Sequence, residues 1–484
     1  MNSNIINATA GAISTGLLTN LVLNTDSYKL SHYPQYPEGT TTVYSFGESR
    51  GCSFSQVIMS YGMQGFVKAY LTHKITRAEI EFAKIFAEKH GEPFNYEGWL
   101  YVLEKYNGYL PVKIRAVREG TIIQTRNVMF TIENTDPKCF WLTSYLETAL
   151  LRALWYPSTV ATISFLAKKL IYRYLLETAE NADAEIDFKL QDFGARGVSS
   201  LESAAIGGSA HLVNFKGSDT ISGILYAMQY YDADVCGFSI PASEHSTMTA
   251  LGPEGEYKQF KRMVDAYAKP NCFLACVSDS YNIYKATEAW HTTGLLNRVK
   301  EAGATLVVRP DSGDPTKIAV EVIEQLMKTE GYTINTKGYR VLPNYVRVIQ
   351  GDGMTLETIG ILLENLKNAK ISASNIAFGM GGGLLQKCDR DTFKFAMKCS
   401  AMEINGKWHD VFKDPITDSG KRSKKGRMTL VLSNEDLQAE PITKRIEEVN
   451  EGELDLMQTI YENGPIESSY ETFDKIRERA RKFL

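Results

Sequence analysis

A strand, a polar loop and a helix follow one another repeatedly between residues 186 and 392, and this repeat limits the possible folds more than any other feature. Strands that alternate with helices pair in parallel and bury both faces of the sheet. Because functional-looking side chains stand at the carboxyl ends of the strands, the pattern favours a barrel. The apolar runs predicted to form these strands are 188–190, 235–240, 273–277, 305–308, 346–349 and 376–378.

The sequence on either side of the repeat has a different character. Alternating strands at 112–133 precede it, and a strand that turns at Asn405-Gly406 follows it; both patterns are typical of antiparallel hairpins. We therefore predict an irregular α/β barrel at residues 151–394. Residues 1–150 and 395–484 are predicted to form a second, discontinuous antiparallel α/β domain.

Composition indicates the number of domains and argues against some classes of partner. A chain of 484 residues that is 44% apolar can bury two domain cores. A net charge of −4 argues against binding to nucleic acid, and we expect none. The longest apolar region, 153–167, is interrupted by Pro157, where we expect the 142–176 helix to break. Since that region is too short for a bilayer, we expect a soluble protein that does not bind membranes.

Compartment is indicated by cysteine usage and by the N-terminal region. The seven cysteines are scattered, and none of them forms a C-x-x-C pair. No basic segment precedes the mildly apolar stretch 8–18, so we expect no signal peptide. These features predict a reduced, cytoplasmic protein.

Glycines crowd the ends of the last two predicted strands. Without side chains, their backbone N–H groups are open to close approach by a phosphate. Asp352 beside them strengthens the prediction of a phosphorylated ligand, although an ordinary tight turn is the alternative. The glycines are Gly351, Gly353, Gly379, Gly381, Gly382 and Gly383.

Three aspartates each stand where a barrel strand should end, namely Asp279, Asp311 and Asp352. Carboxylates that converge at this edge could hold Mg²⁺ through water and orient ribose hydroxyls. The alternative is that Asp279 and Asp311 only cap helices, which the surrounding Ser-Asp-Ser and Asp-Ser-Gly-Asp-Pro sequences permit.

Three arginines and one histidine are further candidates for the functional site. Arg196, Arg309 and Arg390 are suited to bind phosphate through two N–H groups. Arg309 is the strongest, because an unpaired guanidinium inside an apolar strand end would be costly. His245 also follows a strand, and chemistry alone favours a structural histidine held by Glu244.

Taken together, the motifs resemble those of the nicotinamide phosphoribosyltransferase family from about residue 20 to the end of the chain. The resemblance implies that nicotinamide reacts with phosphoribosyl pyrophosphate to give nicotinamide mononucleotide and pyrophosphate, as part of NAD salvage. It implies Mg²⁺, a homodimer, and ATP hydrolysis coupled through a phosphohistidine at His245. The motifs are T-D-S-Y-K, D-F-G-x-R-G-V-S-S, H-L-V-N-F-K-G-S-D-T, P-A-S-E-H-S-T, V-S-D-S-Y, R-P-D-S-G-D-P, V-I-Q-G-D-G, A-F-G-x-G-G-G-L-L-Q-K and D-P-x-x-D-x-x-K-R-S-K-K-G-R.

The resemblance also implies a role for each matched residue, with His245, Asp279 and Asp311 as the catalytic set. The nicotinamide site would contain Phe193, Asp219 and Arg309, together with Asp26 and Tyr28 of the partner subunit. Ribose and its phosphate would contact Arg196, Asp311, Gly351, Asp352, Gly381, Gly382 and Arg390. Pyrophosphate would contact Arg50, Arg196, His245, Arg309, Lys398 and Lys421.

Two other functions stay open. A nicotinate phosphoribosyltransferase would share the barrel, but it would need a cation rather than Asp219 opposite the substituent of the pyridine ring. A phosphate-binding barrel that only binds or signals would not need Asp279, Asp311, Asp352 and His245 together.

Overall fold

The computed structural model describes residues 17–417, 422–432 and 440–484. Its strands are β1 Thr40–Ser49, β2 Val57–Met59, β3 Val112–Val117, β4 Ile122–Gln124, β5 Val128–Asn134, β6 Leu190–Asp192, β7 Gly217–Ser218, β8 Phe273–Val277, β9 Thr305–Arg309, β10 Thr333–Ile334, β11 Arg340–Val341, β12 Val346–Gln350, β13 Ile376–Met380, β14 Phe395–Ile404, β15 Lys407–Asp410, β16 Met428–Leu432, β17 Ile442–Arg445, β18 Leu454–Asp455 and β19 Met457–Glu462. Its helices are α1 Met63–Phe66, α2 Arg77–His90, α3 Tyr96–Tyr106, α4 Leu142–Tyr145, α5 Glu147–Thr178, α6 Ala182–Glu185, α7 Leu201–Leu212, α8 Ile221–Tyr231, α9 His245–Met248, α10 Glu256–Tyr267, α11 Ile283–Thr292, α12 Leu295–Glu301, α13 Ile318–Glu330, α14 Leu356–Asn368, α15 Gly382–Leu385 and α16 Phe473–Arg481.

Contacts divide the chain into two compact units. The barrel unit comprises Val160–Gln229 and Ala233–Lys387. The flanking unit comprises the chain up to Thr159, Tyr230–Asp232 and Cys388–Phe483. The domain limits of 150 and 395 stay a prediction.

The flanking unit is built on an antiparallel sheet of six strands in the order β15-β14-β1-β5-β3-β19. β1 lies near the centre and pairs with β14 on one side and β5 on the other. Three strands from before the barrel therefore lie between strands from after it in one sheet, which confirms the predicted discontinuous antiparallel domain. Large side chains such as Phe46, Trp99, Phe130 and Tyr461 are buried in its core.

The predicted helix break at Pro157 is wrong, because α5 continues through this residue. Proline has no N–H to donate to the carbonyl of Ala153, four residues earlier. Gly62 lies against this part of the helix, and a Cβ there would stand 2.3 Å from Pro157 Cγ and 2.5 Å from Ala153 O. The Tyr61 N–H donates to Ser158 Oγ at 3.2 Å, and that hydroxyl donates back to Tyr61 O at 3.0 Å. Local packing thus holds a helix that sequence alone predicts to break.

The barrel unit is built on a parallel sheet in the order β7-β6-β13-β12-β9-β8. Each neighbouring pair of strands is parallel, as the alternation of strands and helices predicts. One predicted run, 235–240, contributes no regular strand; residues 238–242, the closing segment, instead connect the two outer strands. Isolated parallel bridges join Phe238 to Gly217 of β7 and Ala242 to Ala275 of β8.

Backbone hydrogen bonds at both ends of the closing segment complete the ring. Phe238 N–H donates to Lys216 O at 2.8 Å, and Ala275 N–H donates to Pro241 O at 2.9 Å. The predicted irregular α/β barrel is therefore confirmed. Its interior holds a small apolar cluster of Ala275, Val307 and Ile349, against which Phe193 and Ala377 pack.

The described residues contain no helix long and apolar enough to cross a membrane. All seven cysteines are free thiols.

Candidate active site

The carboxyl ends of the barrel strands carry the site residues predicted in the barrel unit. Strand register places them together: Asp192 is level with Ser218 and with Met380, and Val277 is level with Arg309. Residues that follow these positions therefore emerge at the same edge of the sheet. The residues at this edge are Phe193, Arg196, Asp219, His245, Asp279, Arg309, Asp311, Gly351, Asp352, Gly381 and Gly382.

Phe193 forms an aromatic platform over the strand ends. A Cβ at Gly379 would stand 2.1 Å from Cε2 of this ring, and a Cβ at Gly351 would stand 3.2 Å from it. Only glycine lets the ring lie so close to the backbone at Gly379. Beneath the ring is the apolar interior of the barrel. The platform is suited to stack with a flat aromatic ligand.

Arg309 lies beside this platform, with its Cζ atom 5.5 Å from the centre of the Phe193 ring. Its guanidinium donates to Asp311 Oδ1 from Nη2 at 2.6 Å and from Nε at 3.1 Å. The partner that an arginine in an apolar strand end requires is therefore Asp311, two residues further along the chain.

Asp279 holds His245 in place. Its Oδ1 lies 3.0 Å from His245 Nε2, and its Oδ2 accepts from the Asp311 N–H at 3.1 Å and from the Ser312 hydroxyl. The Asp279 side chain is 4% exposed, whereas the His245 side chain is 45% exposed. A buried acid thus fixes a histidine whose ring is open to a ligand.

Two expectations from the sequence are corrected at this cluster. Glu244 does not hold His245, because its Oε1 accepts from the Ser246 hydroxyl. Asp279 does not cap a helix either, since the side chain of Asn282 accepts the first N–H groups of α11. His245 Nδ1 lies 3.9 Å from Asp311 Oδ2, so the imidazole stands between two carboxylates.

The ends of β6 and β7 carry a second acidic pair, Asp192 and Asp219. Asp219 is exposed, and its Oδ1 accepts from the Ser239 hydroxyl. Asp192 is fully buried directly before Phe193, and it accepts from Gly194 N–H at 2.7 Å. Sequence reasoning missed Ser239 and Asp192. The position of Asp192 within D-F-G was the available signal for it, and Ser239 carried none.

The glycine-rich turn after β13 leaves open space at one position. A Cβ at Gly382 would meet nothing within 4 Å, whereas a Cβ at Gly383 would stand 2.8 Å from Met354 O. A Cβ at Gly197 would stand 3.6 Å from Gly382 N, so the turn that carries the exposed Arg196 lies nearby. Asp352 is exposed at the neighbouring strand end.

No three histidine, cysteine or acidic side chains in the described ranges are arranged to hold a metal ion directly. Mg²⁺ bound through water by Asp279, Asp311 and Asp352 stays a prediction.

Several predicted residues lie in the flanking unit. Arg50 is mostly buried, and its Nε donates to Glu48 Oε1 at 3.0 Å. Its Nη2 is buried and has no hydrogen-bond partner among the described residues. Burial, together with the positive charges of Arg50, Lys413 and Lys29, lowers the pKa of Lys398. Crowded cations, one of which keeps a buried N–H group without a partner in the described part of the chain, are suited to an anionic ligand.

The remaining predicted residues of this unit differ in exposure and pairing. Arg390 is exposed and pairs with Asp391 at 3.0 Å. Tyr28 is 53% exposed. The Asp26 N–H donates to Thr148 Oγ1, which in turn donates to the Asp26 carboxylate. Lys421 lies outside the described residues.

Comparison with known sequences agrees with this geometry. The sequence model of the "Nicotinate phosphoribosyltransferase (NAPRTase) family" matches residues 188–464, and that of the "Nicotinamide phosphoribosyltransferase, N-terminal domain" matches residues 20–114. The nicotinamide phosphoribosyltransferase of Xanthomonas campestris pv. campestris (strain 8004) is 48% identical over 465 residues, which cover 96% of this chain and 98% of the relative. This chain belongs to the nicotinamide phosphoribosyltransferase family. The family resemblance of the motifs is thereby confirmed, and the family is one of pentosyltransferases.

A more distant relative and two solved structures are also similar. The nicotinamide phosphoribosyltransferase of Acinetobacter baylyi (strain ATCC 33305 / BD413 / ADP1) is 34% identical over 95% of this chain and 96% of its own. The nicotinate-nucleotide pyrophosphorylase of Pyrococcus furiosus has a TM-score of 0.61 at 17% identity, covering 96% of this chain and 95% of its own. Human nicotinic acid phosphoribosyltransferase has a TM-score of 0.59 at 16% identity, covering 95% and 93%. These two structures share the fold of the family.

Proposed function

We propose that this protein joins nicotinamide to phosphoribosyl pyrophosphate and forms nicotinamide mononucleotide and pyrophosphate. The observation that carries the proposal is the Phe193 platform, which lies over Gly351 and Gly379 with Arg309 at its side. A pyridine ring can stack there while its amide reaches the polar groups at the neighbouring strand ends. The product would serve cytoplasmic NAD salvage.

The choice of amide over acid rests on Asp219. A carboxylate accepts from an amide N–H₂ group but repels a carboxylate on the pyridine ring. Arg309 lies with its Cζ atom 5.5 Å from the centre of the platform ring, and Asp311 already occupies its guanidinium. The site therefore favours nicotinamide over nicotinate, which is the alternative substrate.

Glycosyl transfer builds positive charge on the ribose as pyrophosphate leaves, and nearby carboxylates stabilise that charge. Asp311 and Asp352 stand at the strand ends where the ribose would lie. Arg196 would help to neutralise the departing pyrophosphate. Mg²⁺, held through water by Asp279, Asp311 and Asp352, would add positive charge against the phosphates.

A steady-state assay tests the proposal directly. Pyrophosphate release is measured with phosphoribosyl pyrophosphate and either nicotinamide or nicotinate. We expect the specificity constant kcat/KM to be at least about tenfold higher for nicotinamide. A higher value for nicotinate would replace the proposed reaction with the alternative one.

The ATP-coupled step is proposed for His245. When Nε2 donates its hydrogen to Asp279, Nδ1 keeps a lone pair and can attack the terminal phosphorus of ATP. An N–P bond forms, the P–O bond to ADP breaks, and ADP leaves. Later hydrolysis of the phosphohistidine releases phosphate and restores the imidazole.

The test of this step is His245→Ala. We expect the variant to lose acid-labile phosphorylation by ATP and to lose stimulation of synthesis by ATP. Ser246→Ala is a suitable control, because it changes the adjacent side chain and leaves the imidazole. Full phosphorylation of the His245→Ala variant would place the step on another residue.

A homodimer with shared active sites is part of the proposal. Tyr28 presents a 53% exposed ring. On the barrel unit, α8 exposes Ile221, Leu225 and Met228 at helical spacing. Exposed apolar stripes of this kind are typical of interfaces. A second copy could cover the stripe and bring Tyr28 of the partner subunit over the pyridine ring.

Subunit exchange tests the shared site. Tyr28→Ala and Asp311→Ala are each expected to be inactive, and mixing them should restore part of the activity. One site of each heterodimer then receives both intact residues. If mass measurement confirms exchange and activity does not recover, the two residues act within one subunit.

A further inference from the structure

Asp192 is the buried acid of the site to which the proposed reaction assigns no role. It is the last residue of β6 and is fully buried. Its Oδ1 accepts from the Gly194 N–H at 2.7 Å, which fixes the turn directly after Phe193. Its backbone carbonyl accepts from the Asp219 N–H at 2.9 Å. Asp192 therefore connects the aromatic platform with the acid proposed to select the amide.

The second carboxylate oxygen of Asp192, Oδ2, is not used in the turn after Phe193. Oδ2 is buried with no group at full hydrogen-bonding geometry among the described residues, and so is Thr220 Oγ1. The Thr220 side chain still interacts with this carboxylate, and it lowers the pKa of Asp192 against the effect of burial. A Cβ at Gly208 of α7 would stand 3.4 Å from Oδ2 and 2.8 Å from Thr220 Cγ2, so the helix packs closely over this position. Hydrogen bonding to Gly194 alone would not require an acid, because a neutral oxygen acceptor could serve it.

The negative charge at this position is costly. Burial raises the pKa of Asp192 to about 6, and the negative charge of Asp219 adds to this increase. At neutral pH the carboxylate is therefore largely ionised in a poorly solvated position. A buried charge without full compensation is the kind of feature that proteins keep for function.

We infer that Asp192 is a specificity-determining positioning residue that holds the turn after Phe193 and adds a second negative charge behind Asp219, so that the pyridine site rejects a carboxylate and accepts a neutral amide. This inference rests on the proposed function. Asp192 has no atom exposed to a substrate, so it acts through its field and through Phe193 and Asp219. Two like charges at adjacent strand ends repel an anion more strongly than one does.

The decisive variants are Asp192→Asn and Asp192→Ser. Each removes the charge and keeps an oxygen that can accept from Gly194. The introduced amide N–H₂ of Asp192→Asn can also donate to Thr220 Oγ1, which should help this variant to fold. Thr220→Ser is the matched control, because it changes a buried neighbour of Asp192 and keeps both the hydroxyl that interacts with the carboxylate and the charge.

The readout is the ratio of kcat/KM for nicotinate to kcat/KM for nicotinamide. We expect both Asp192 variants to raise this ratio about fivefold or more, mainly through a lower KM for nicotinate. Thr220→Ser should change it less than about twofold, because the charge that separates the two substrates is still present. A residue that only supports folding would change kcat/KM for both substrates equally.

Other outcomes separate this inference from the proposed function. An active wild-type enzyme with an unchanged ratio in both folded variants would overturn the inference alone. Loss of folding in both variants, seen by circular dichroism, would assign Asp192 to stability and overturn it as well. Wild-type protein that releases no pyrophosphate with either pyridine would overturn the proposed function, and the inference with it.

Discussion

The carboxylates at two pairs of strand ends in the same barrel differ in how completely they are hydrogen-bonded. At the ends of β8 and β9, both oxygens of Asp279 accept hydrogen bonds, and Asp311 is paired with Arg309. At the ends of β6 and β7, one oxygen of Asp192 is buried with no group at full hydrogen-bonding geometry in the described part of the chain. The first region is fixed before any ligand arrives, as electrostatic catalysis requires. The second retains negative charge that its neighbours compensate only in part, which suits recognition of a hydrogen-bond donor.

Removing the central acid of the paired region should have the largest effect. Asp279→Ala leaves the His245 ring, the Asp311 N–H and the Ser312 hydroxyl without their common acceptor. We expect the ATP-stimulated rate to fall at least about 100-fold, since correctly placed acid–base groups contribute that much or more. Ser312→Ala removes one donor and is the control. A loss of less than about threefold would show that the pairing is not needed for coupling to ATP.

The exposed acid of the unpaired region is expected to affect selectivity. Asp219→Ser should lower the preference for nicotinamide over nicotinate at least about tenfold, which corresponds to about 1.4 kcal/mol. Asp234→Ser changes another exposed aspartate of the barrel unit and should leave the preference as it is. Competition between the two pyridines in one reaction measures the ratio. An unaltered preference would remove Asp219 from the amide site.

The platform between the two regions can be disturbed in steps. Gly379→Ala places a methyl group 2.1 Å from the Phe193 ring, and Gly351→Ala places one 3.2 Å from it. We expect Gly379→Ala to raise KM for nicotinamide several-fold and to destabilise the protein by about 1–3 kcal/mol. Gly351→Ala should change both KM and stability by smaller amounts. Gly382→Ala meets no neighbour within 4 Å and should not change the melting temperature. Equal melting temperatures for all three variants would contradict the close packing of the ring.

The smallest effect concerns stability and pH. Burial raises the pKa of Asp192 to about 6, above its value in an unfolded chain. The folded state then binds more protons, so stability is lost as pH rises from about 4 to about 6. Asp192→Asn removes this loss, which is at most about 3 kcal/mol. Its apparent melting temperature should exceed that of wild type by a few degrees at pH 7, with a smaller difference at pH 4. The same difference at both pH values would show that folding does not change the pKa of Asp192.

Sequence predicted the barrel because the apolar runs and their polar ends repeat. It also predicted the requirement that Arg309 be paired. It could not predict strands as short as β7, which has two residues and too little periodicity to detect. The run 235–240 looked like a strand but only bridges its neighbours, since apolar composition does not report hydrogen-bond register.

Side-chain partners were harder to predict than strands. Glu244 adjoins His245 in sequence, yet the acid that holds the imidazole is Asp279, 34 residues away. The conformation of the turn after a strand determines which side chain lies next to the imidazole. That conformation depends on tertiary contacts, which the sequence does not reveal. Asp192 was overlooked for a related reason. A buried aspartate before an aromatic residue looks like part of a strand until its unpaired oxygen can be located.

The closing segment makes one sector of the barrel unlike the others. A regular pair of strands is joined by many backbone hydrogen bonds. The ring here is closed only by isolated bridges at Phe238 and Ala242 in the described part of the chain. Local opening occurs where few bonds must break. The amides of Phe238 and Ser243 should therefore exchange with solvent deuterium sooner than those in the middle of β9 or β12. Ser239 and His245 lie within and just after this segment, so local opening there would move the hydroxyl that donates to Asp219 and the imidazole held by Asp279 together.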